Sequence, residues 1–329
     1  MLILSSEVVR RSLPMDQAIE AMKRAYAALS DHRVQVPLRL SMSIPWHDAT
    51  GLFMPAFVHD ENEEAMALKA VALFPHNPER GLPLIQAAVL VMEADSGRPL
   101  ALLEGSALTA IRTGAASGAA SDLLARPDSQ VAAVFGAGVQ GRTQLEAVCT
   151  VRSIQRAWIY DPDRSRLERF IADMAGRSPI PTDLSAAVDS RQAVAEADII
   201  CTATTSRTPV FSDVDLKPGV HINAVGAYTP EMQEIPADAV RGALVVVDSR
   251  SASLAEAGDL IQPINQGVIT PQHIHAELGE IVLGRKPGRS NPIQITLFKS
   301  VGIAAQDAMA ARVAVDNAQK MGIAQTVAW

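Results

Sequence analysis

The apolar positions of the first hundred residues predict one helix followed by several antiparallel strands. Apolar side chains recur at helical spacing from Met15 to Leu29, and Pro14 suits the first turn of a helix. Strand-like runs come next with short links between them, and short links favour antiparallel pairing over parallel crossover units. The predicted strands cover residues 36–44, 51–58, 65–74, 84–92 and 99–104.

The pattern changes in the second part of the chain, where strands and helices alternate. A stretch rich in small residues, 107–124, predicts a helix, and a loop at 127–129 precedes the alternation. Strands are predicted at 131–135, 154–160, 198–204, 220–225, 244–247 and 293–298, and helices at 142–151, 164–175, 191–196 and 301–321. The predicted fold class is α/β, with a Rossmann-type doubly wound parallel sheet plus a separate α+β domain.

Composition and charge exclude several classes of protein. A length of 329 residues allows two domains, and 48% apolar with 20% charged residues excludes a disordered chain. The net charge of −7 without a basic tract speaks against a nucleic-acid partner. No apolar run has the length of a signal peptide or a membrane span, which predicts a cytoplasmic protein without membrane association. Cys149 and Cys201 lack ligand-like spacing, which predicts buried thiols and no metal site.

A glycine motif predicts a dinucleotide site. Gly136, Gly138 and Gly141 match G-x-G-x-x-G between an apolar strand and a helix, which is the context that the motif requires. The first glycine allows a tight turn, the second lets the backbone approach the pyrophosphate, and the third packs helix on strand. Asp161 lies 20 residues beyond Gly141, where an acid accepts hydrogen bonds from the ribose and repels a 2′-phosphate. NAD(H) is therefore predicted in preference to NADP(H).

Two later strand ends are expected beside this motif, because ligands of doubly wound sheets bind outside the carboxyl ends of the strands. One strand end carries Thr202 and the four small or hydroxyl residues after it, and the other runs from Asn223 to Tyr228. Small side chains and hydroxyls suit contact with a nicotinamide ribose. Ordinary strand-to-loop composition explains any single one of these residues equally well.

Lys69 is the candidate for acid–base chemistry. Six of the 29 cationic residues are lysines, and this one lies in the apolar run 66–74. A lone ammonium there must face a cleft, a partner charge or solvent, and partial burial would lower its pKa and let it act as an acid near neutral pH. The alternative is an edge lysine that prevents sheet aggregation. Arg39 lies in the alternating strand predicted at 36–44, and Arg112 lies in a mostly apolar stretch. A guanidinium suits a carboxylate, although each arginine alone is more commonly a surface residue.

Together these segments resemble the ornithine cyclodeaminase/mu-crystallin family over nearly the whole chain. The matching blocks are residues 68–71, 74–77, 95–101, 108–116, 136–141, 219–226, 247–249 and 298–307. Several blocks in one order are far more specific than any one of them. The family includes cyclodeaminases, alanine dehydrogenases and reductases of ketimines and cyclic imines, and its mu-crystallins also bind thyroid hormone.

The resemblance implies two domains with different roles. Residues 1–125, completed by the C-terminal helix within 301–329, would form a substrate-binding and dimerisation domain. Residues 126–300 would form an NAD-binding Rossmann domain inserted between these two segments. A homodimer built through the substrate domains is implied as well.

The resemblance also implies roles for single residues. Arg39, Lys69 and Arg112 would hold a substrate carboxylate beside the nicotinamide, with Lys69 as the catalytic residue. The cofactor site would then comprise Arg112, Thr113, Gly136, Gly138, Val139, Gln140, Gly141, Asp161, Thr202, Val225, Gly226, Ala227, Tyr228 and Ser300.

Two departures from the cyclodeaminases of the family concern acids. Those enzymes carry an aspartate just after the glycine pair that follows the Asn-Ala-Val block, where this chain has Tyr228. They also carry a glutamate two residues before a Met-Pro pair, where this chain has Leu52. The distal ammonium of ornithine would want an acidic partner, because an unpaired buried charge is costly. The pocket therefore suits a substrate with one carboxylate and an imine or keto carbon.

The favoured function is NAD(H)-dependent reduction of a cyclic or linear imino acid, such as a ketimine or a pyrroline- or piperideine-2-carboxylate, to an amino acid. Within the enzymes, ornithine cyclodeamination to proline and ammonia stays open, with Glu231 or Glu234 serving in place of the missing aspartate. An alanine dehydrogenase-like activity is a further alternative. From another class comes a mu-crystallin-like protein that binds a small molecule without turnover.

Overall fold

The computed structural model describes residues 1–61 and 63–329. In chain order its strands are β1 Leu2–Leu4, β2 Val34–Gln35, β3 Leu40–Ile44, β4 Ala49–His59, β5 Glu64–Leu73, β6 Ile85–Met92, β7 Pro99–Glu104, β8 Val131–Phe135, β9 Arg156–Tyr160, β10 Asp183–Ala186, β11 Ile199–Thr202, β12 His221–Ala224, β13 Leu244–Val247, β14 Ile274–Glu277, β15 Thr296–Lys299 and β16 Gln325–Thr326. Its α-helices are α1 Ser6–Ser12, α2 Met15–Ser30, α3 Gly105–Leu124, α4 Val139–Val151, α5 Arg164–Met174, α6 Ser190–Ala195, α7 Ala237–Gly242, α8 Arg250–Glu256, α9 Gly258–Asn265, α10 Leu278–Val282 and α11 Ala304–Met321. Among the helices of the described residues, none combines the length and the apolarity needed to cross a membrane.

These elements divide into two compact units. Unit 1 consists of Met1–Arg112 and Ile303–Trp329, and unit 2 consists of Thr113–Gly302. The first division lies inside α3, which continues without a break from one unit into the other. The boundary expected from the sequence, at residue 126, lies instead in the loop after α3. Turn-forming residues mark such a loop in a sequence, whereas nothing in a continuous helix marks a division.

Unit 1 is a mixed sheet with helices on one face. The strand order is β16-β1-β7-β6-β5-β4-β2, and β3 also pairs with β4. The pairs from β2 through β7 are antiparallel, as the short links predict, and β1 lies parallel to β7. Helix α11 packs against α2 and across β4 and β5. We call the face that α11 covers the inner face and the opposite one the outer face.

The strand predicted at 36–44 is interrupted in the structure. Only Leu40–Ile44 pairs along the first half of β4, and Val34–Gln35 pairs with the far end of β4. Pro37 lies between these two segments, and proline cannot donate a ladder hydrogen bond. Arg39 therefore directly precedes β3. The sequence predicts Arg39 within a strand, and that prediction is wrong.

Unit 2 contains the doubly wound sheet that the alternation predicts. Its strand order is β10-β9-β8-β11-β12-β15-β13-β14, and every neighbouring pair is parallel. The chain runs outward in one direction from β8 to β10 and in the other direction from β11 to β14, after which β15 inserts between β12 and β13. A crevice at such a reversal is where these sheets bind dinucleotides. The predicted fold class is confirmed.

Buried side chains cover both faces of the unit 2 sheet. Along β8, Ala132 and Val134 pack with residues of α4 and α5, whereas Ala133 and Phe135 pack with residues of α6 and α9. A strand that is buried on both faces needs a continuous apolar run, which explains the V-A-A-V-F sequence of β8. The packing fixes the carboxyl ends of the strands, where the glycine motif and its neighbours lie.

Candidate active site

Lys69 lies near the middle of β5, on the inner face of the unit 1 sheet. It is opposite Met54 of β4 and Val89 of β6, and its side chain is only 3% exposed. Ala65 and Ala67 share its face, because side chains alternate along a strand, and both are buried. The edge-lysine alternative is wrong, since β5 has paired strands on both sides.

The ammonium of Lys69 is paired with Asp307 in the first turn of α11. Lys69 Nζ lies 2.6 Å from Asp307 Oδ2, and Arg112 Nε donates to Asp307 Oδ1 over 3.0 Å. Arg112 Nη1 also reaches Gln306 Oε1 at 3.4 Å, and Gln306 Nε2 donates to the Tyr26 hydroxyl over 2.7 Å. One buried carboxylate thus orients two of the three predicted substrate-binding cations, and the helix N-terminus favours its negative charge.

Burial and neighbouring charges bring the proton affinity of Lys69 toward neutral pH. The pKa of Lys69 is lowered to about 8, chiefly by burial and also by the charges of Arg112 and Arg39, while Asp307 opposes this shift. Although burial raises the pKa of Asp307, Arg112 and Lys69 hold it below its ordinary value. Asp307 is therefore a carboxylate over the working pH range, and Lys69 is an ammonium that can release its proton.

Arg39, the third predicted cation, lies close to the same place. It is half-buried and directly precedes β3. Because Leu40 pairs with Phe53, continuing the register by one residue puts Arg39 beside Met54, which is itself opposite Lys69. The charge of Arg39 contributes to the lowered pKa of Lys69. The structure thus pairs two of the predicted cations with one acid and places the third near Lys69.

Leu52 gives this site an apolar side. It lies on the inner face of β4, two residues before Met54 and opposite Val71 of β5, which is two residues beyond Lys69. Leu52 and Val71 are both half-buried. The position at which cyclodeaminases carry a glutamate is therefore on the same sheet face as Lys69, and in this chain it carries an apolar side chain.

The glycine motif of unit 2 forms a tight turn that fits a pyrophosphate. Gly136 follows β8 with φ of +100°, and a Cβ there would collide with the carbonyl of Ala203. A Cβ on Gly141 would collide with the carbonyl of Gly136, so α4 packs directly on the turn. A Cβ on Gly138 would meet no described atom within 4 Å. Gly138 therefore borders open space next to the first turn of α4, where free backbone N–H groups favour an anion.

Asp161 directly follows β9 and is bound to the glycine turn. Its Oδ2 accepts a hydrogen bond from Ala137 N over 2.8 Å, and its Oδ1 accepts one from Asp163 N over 2.9 Å. Each carboxylate oxygen keeps a further lone pair, which a ribose hydroxyl can use. The turn, the helix end and this acid fit the adenosine and pyrophosphate parts of a dinucleotide.

The other predicted cofactor residues of unit 2 follow the carboxyl ends of neighbouring strands. Thr202 ends β11, residues 225–228 follow β12, and Ser300 follows β15. Val139 and Gln140 begin α4 beside the glycine turn. Thr113 lies in α3 instead, where its carbonyl accepts a hydrogen bond from Gln144 Nε2 of α4 over 3.2 Å. Ser300 Oγ donates to the buried Asp248 Oδ2 over 2.8 Å, which fixes the end of β15.

Several site residues are not singled out by the sequence alone. Asp307 lies in one of the family blocks, and its position among Ala304, Ala305, Ala308 and Met309 is a usable sign, because an acid amid apolar helix residues needs a buried partner. Lys299 has no comparable sign, yet it is wholly buried and paired with Asp259 at 2.8 Å. Buried ion pairs of this kind bring together residues that are distant in sequence.

A parallel sheet with a glycine turn, an acid after the second strand and a separate unit with a buried lysine define a dinucleotide-dependent oxidoreductase architecture. The ornithine cyclodeaminase/mu-crystallin family model matches residues 1–322, and the chain belongs to this family. The expected family membership is confirmed.

Individual relatives are similar over the whole chain. A Delta(1)-pyrroline-2-carboxylate reductase of Bacillus cereus is 38% identical over 328 residues, which are 99% of each protein. The structure of Thermococcus litoralis Delta(1)-pyrroline-2-carboxylate reductase in complex with NADH and L-proline is 42% identical, with a TM-score of 0.93 over 99% of this chain and 100% of that chain. An archaeal alanine dehydrogenase dimer with bound NAD is 31% identical, with a TM-score of 0.90 over 100% of this chain and 99% of that chain.

Proposed function

We propose that this protein is an NAD(H)-dependent reductase of imino acids, with a cyclic imine such as pyrroline-2-carboxylate as the favoured substrate. The observation that carries the proposal is the buried cluster in which Asp307 orients Lys69 and Arg112. The cluster supplies an acid for the imine nitrogen and cations for a carboxylate. The reductases with 38% and 42% identity over nearly the whole chain support the same reaction.

Substrate binding rests on charge and shape. Asp307 is paired with two cations, Lys69 and Arg112, and the charge of Arg39 acts on Lys69 as well, so the net charge of the site is positive and attracts an anionic substrate. Arg39 and Arg112 bind the carboxylate, for which guanidinium forks are suited. Leu52 and Val71 contact the hydrocarbon part of the substrate, because both lie on the inner face of the sheet near Lys69.

Reduction of the imine needs a hydride at carbon and a proton at nitrogen. Bound NADH supplies the hydride. Lys69 Nζ donates the proton to the imine nitrogen, so the C=N bond becomes an amine and the lysine becomes neutral until solvent returns a proton. Asp307 orients the ammonium of Lys69 and favours its charged form. With a pKa of about 8, Lys69 both holds a proton at neutral pH and gives it up readily.

Cyclodeamination of ornithine is less compatible with this site. Glu234, one of the two acids that could replace the missing aspartate, is wholly buried, and its carboxylate already accepts bonds from neighbouring loops. Glu231 is exposed. Leu52 leaves an apolar surface where a distal ammonium would need an acid.

A substrate panel tests the proposed function. Purified protein with NADH is assayed with pyrroline-2-carboxylate, piperideine-2-carboxylate, and pyruvate with ammonia; with NAD it is assayed with ornithine, proline and alanine. We expect the cyclic imines to give the highest kcat/KM, and proline to be oxidised in reverse. Proline and ammonia from ornithine would instead establish a cyclodeaminase. Tight binding of the imines without turnover would favour the small-molecule binding protein.

Cofactor preference follows from Asp161. We expect NADH to be preferred over NADPH, because the carboxylate repels a 2′-phosphate, and we expect Asp161→Ser to lower the ratio of the two kcat/KM values by about tenfold. The ratio is the proper measure, since the variant also loses the acceptor of Ala137 N and uses both cofactors less well. A wild-type protein that prefers NADPH, or an unchanged ratio in the variant, would contradict this role.

The outer face of the unit 1 sheet supports a homodimer. Pro55, Leu68, Leu90 and Leu102 lie opposite one another in a row across β4, β5, β6 and β7. Leu102 is 38% exposed, and an open apolar sheet face of this kind is typical of a protein interface. A second copy of this chain is the occupant we propose, in line with the alanine dehydrogenase dimer of 31% identity.

The dimer can be tested by light scattering after gel filtration. The wild type is expected at twice 35.0 kDa, and the double variant Leu68→Glu with Leu102→Glu at the mass of one chain, because four facing carboxylates replace apolar contacts. Val188→Glu is the matched control, since Val188 is an exposed apolar residue of unit 2. A monomeric wild type, or a double variant that stays dimeric, would rule out this face.

A cytoplasmic location fits the two cysteines. Cys149 and Cys201 are both buried with free thiols, and burial raises the pKa of each to about 12. Such thiols resist oxidation and are usual in a reducing compartment.

A further inference from the structure

Glu234 joins the ends of two strands through one buried carboxylate. Its Oε1 accepts hydrogen bonds from Thr204 N over 2.7 Å and from Thr204 Oγ1 over 2.8 Å. Its Oε2 accepts bonds from Thr202 Oγ1 over 2.9 Å, from Gly226 N over 2.8 Å and from Ala227 N over 3.1 Å. Five donors from the end of β11 and from the loops after β11 and β12 therefore converge on a single side chain that is wholly buried.

The two loops approach each other so closely that only a glycine fits between them. A Cβ on Gly226 would collide with both the backbone of Thr204 and the carboxylate of Glu234. The bonds to Glu234 therefore fix the relative position of the two loops. The backbone N–H groups of Thr204, Gly226 and Ala227 are not free for other partners, because they already donate hydrogen bonds to this carboxylate.

The ion pair between Asp259 and Lys299 supports the backbone of Glu234 and connects it to a third strand, β15. Asp259 Oδ1 accepts hydrogen bonds from Glu234 N over 2.6 Å and from Ile235 N over 2.9 Å. Asp259 Oδ2 is 2.8 Å from Nζ of Lys299, which ends β15. Glu234, Asp259 and Lys299 are all wholly buried, in a location where an unpaired charge is costly. The network thus ties together the carboxyl ends of β11, β12 and β15.

We propose that Glu234 is a positioning residue for the nicotinamide half of the cofactor. The inference rests on the NAD(H) binding proposed above. The glycine turn and Asp161 follow β8 and β9, on one side of the reversal in strand order, and these features serve the adenosine half. The loops that Glu234 holds follow β11 and β12, on the other side, where the remaining half of a dinucleotide lies.

Glu234→Gln tests this division of the cofactor site. The amide keeps one oxygen and places an NH2 group where the other oxygen was, so in either orientation an N–H donor of one loop faces another donor. We expect the Kd of NADH to rise by about tenfold or more, since a buried N–H group loses its acceptor. The Kd of ADP-ribose, which lacks the nicotinamide, is expected to stay within about twofold. Both constants are measured by isothermal titration calorimetry.

Asp161→Ser is the matched comparison, because it is expected to weaken NADH and ADP-ribose together. A melting curve of each variant establishes that it is folded. If Glu234→Gln does not fold, Thr204→Val removes a single bond to the same carboxylate, and we expect a smaller change in the same direction. Equal weakening of NADH and ADP-ribose in the folded variant, or no change in either, would overturn the positioning role. A wild-type protein that fails to bind NADH would overturn the proposed function instead.

Discussion

Replacing Lys69 by methionine is expected to lower kcat for imine reduction by about 10²- to 10⁴-fold, the range typical of lost general acid catalysis. Methionine preserves the length and apolar stem of the side chain but carries no proton. Asp307 keeps Arg112 as a partner, so the buried carboxylate is not left alone. The Kd of NADH should stay unchanged, because the residues that fit the cofactor's adenosine and pyrophosphate parts lie in unit 2.

Two further substitutions sharpen this test. Lys69→Arg retains the positive charge, but a guanidinium does not release its proton at working pH, so we expect it to be nearly as inactive as the methionine variant. Lys320→Met, at the exposed end of α11, removes a lysine that does not belong to the cluster and should leave kcat unchanged. Near-normal turnover by the Lys69→Met variant would remove Lys69 from the mechanism.

Asp307→Asn is expected to move the pH dependence of the reaction as well as its rate. Asp307 raises the pKa of Lys69, so removing its charge lowers that pKa further below about 8. Reduction needs the ammonium form, and kcat/KM therefore falls as pH rises through the pKa of the free enzyme. We expect the alkaline limb near pH 8 in the wild type to move to lower pH in the variant. On the alkaline side, activity falls about tenfold for every pH unit by which the limb moves, because the ammonium fraction falls by that factor.

The shape of the profile separates a charge effect from a structural one. A loss that shrinks as the pH is lowered indicates that Asp307 acts on the proton of Lys69, whereas a loss of equal size at every pH would contradict that role. Asp316→Asn is the matched control, because it removes a carboxylate from the same helix that is paired with Arg312 and not with Lys69. Its alkaline limb should coincide with that of the wild type.

The fold was largely predictable because its signals are local. The strand and turn of the glycine motif need only adjacent residues, and the predicted strand at 131–135 agrees with β8 residue for residue. Short and mostly polar elements were not predicted. Strand β10, for example, is the four residues Asp183–Ala186, and it is a strand because β9 lies beside it. Pairing with a neighbour supplies what its own sequence does not.

The candidate site was predictable only in part, because some of its residues have local signals and others depend on partners distant in sequence. Lys69 and Arg112 stand out because each is a charge within an apolar stretch, and the structure pairs both with one acid. That acid, Asp307, was not identified as their partner, since the pairing depends on the packing of α11 across β5. The sequence marks Glu234 only as a substitute for the missing aspartate, because its five bonds depend on two loops that converge from different strands.

The position of Asp307 in the chain also bears on how the protein is made. Arg112 and its partner are 195 residues apart in sequence, and all of unit 2 is translated between them. A ribosome that has finished unit 2 has therefore exposed Lys69 and Arg112 without their carboxylate, and the sheet of unit 1 still lacks the helix that covers its inner face. Unit 2 can fold during synthesis, whereas unit 1 has to wait for α11.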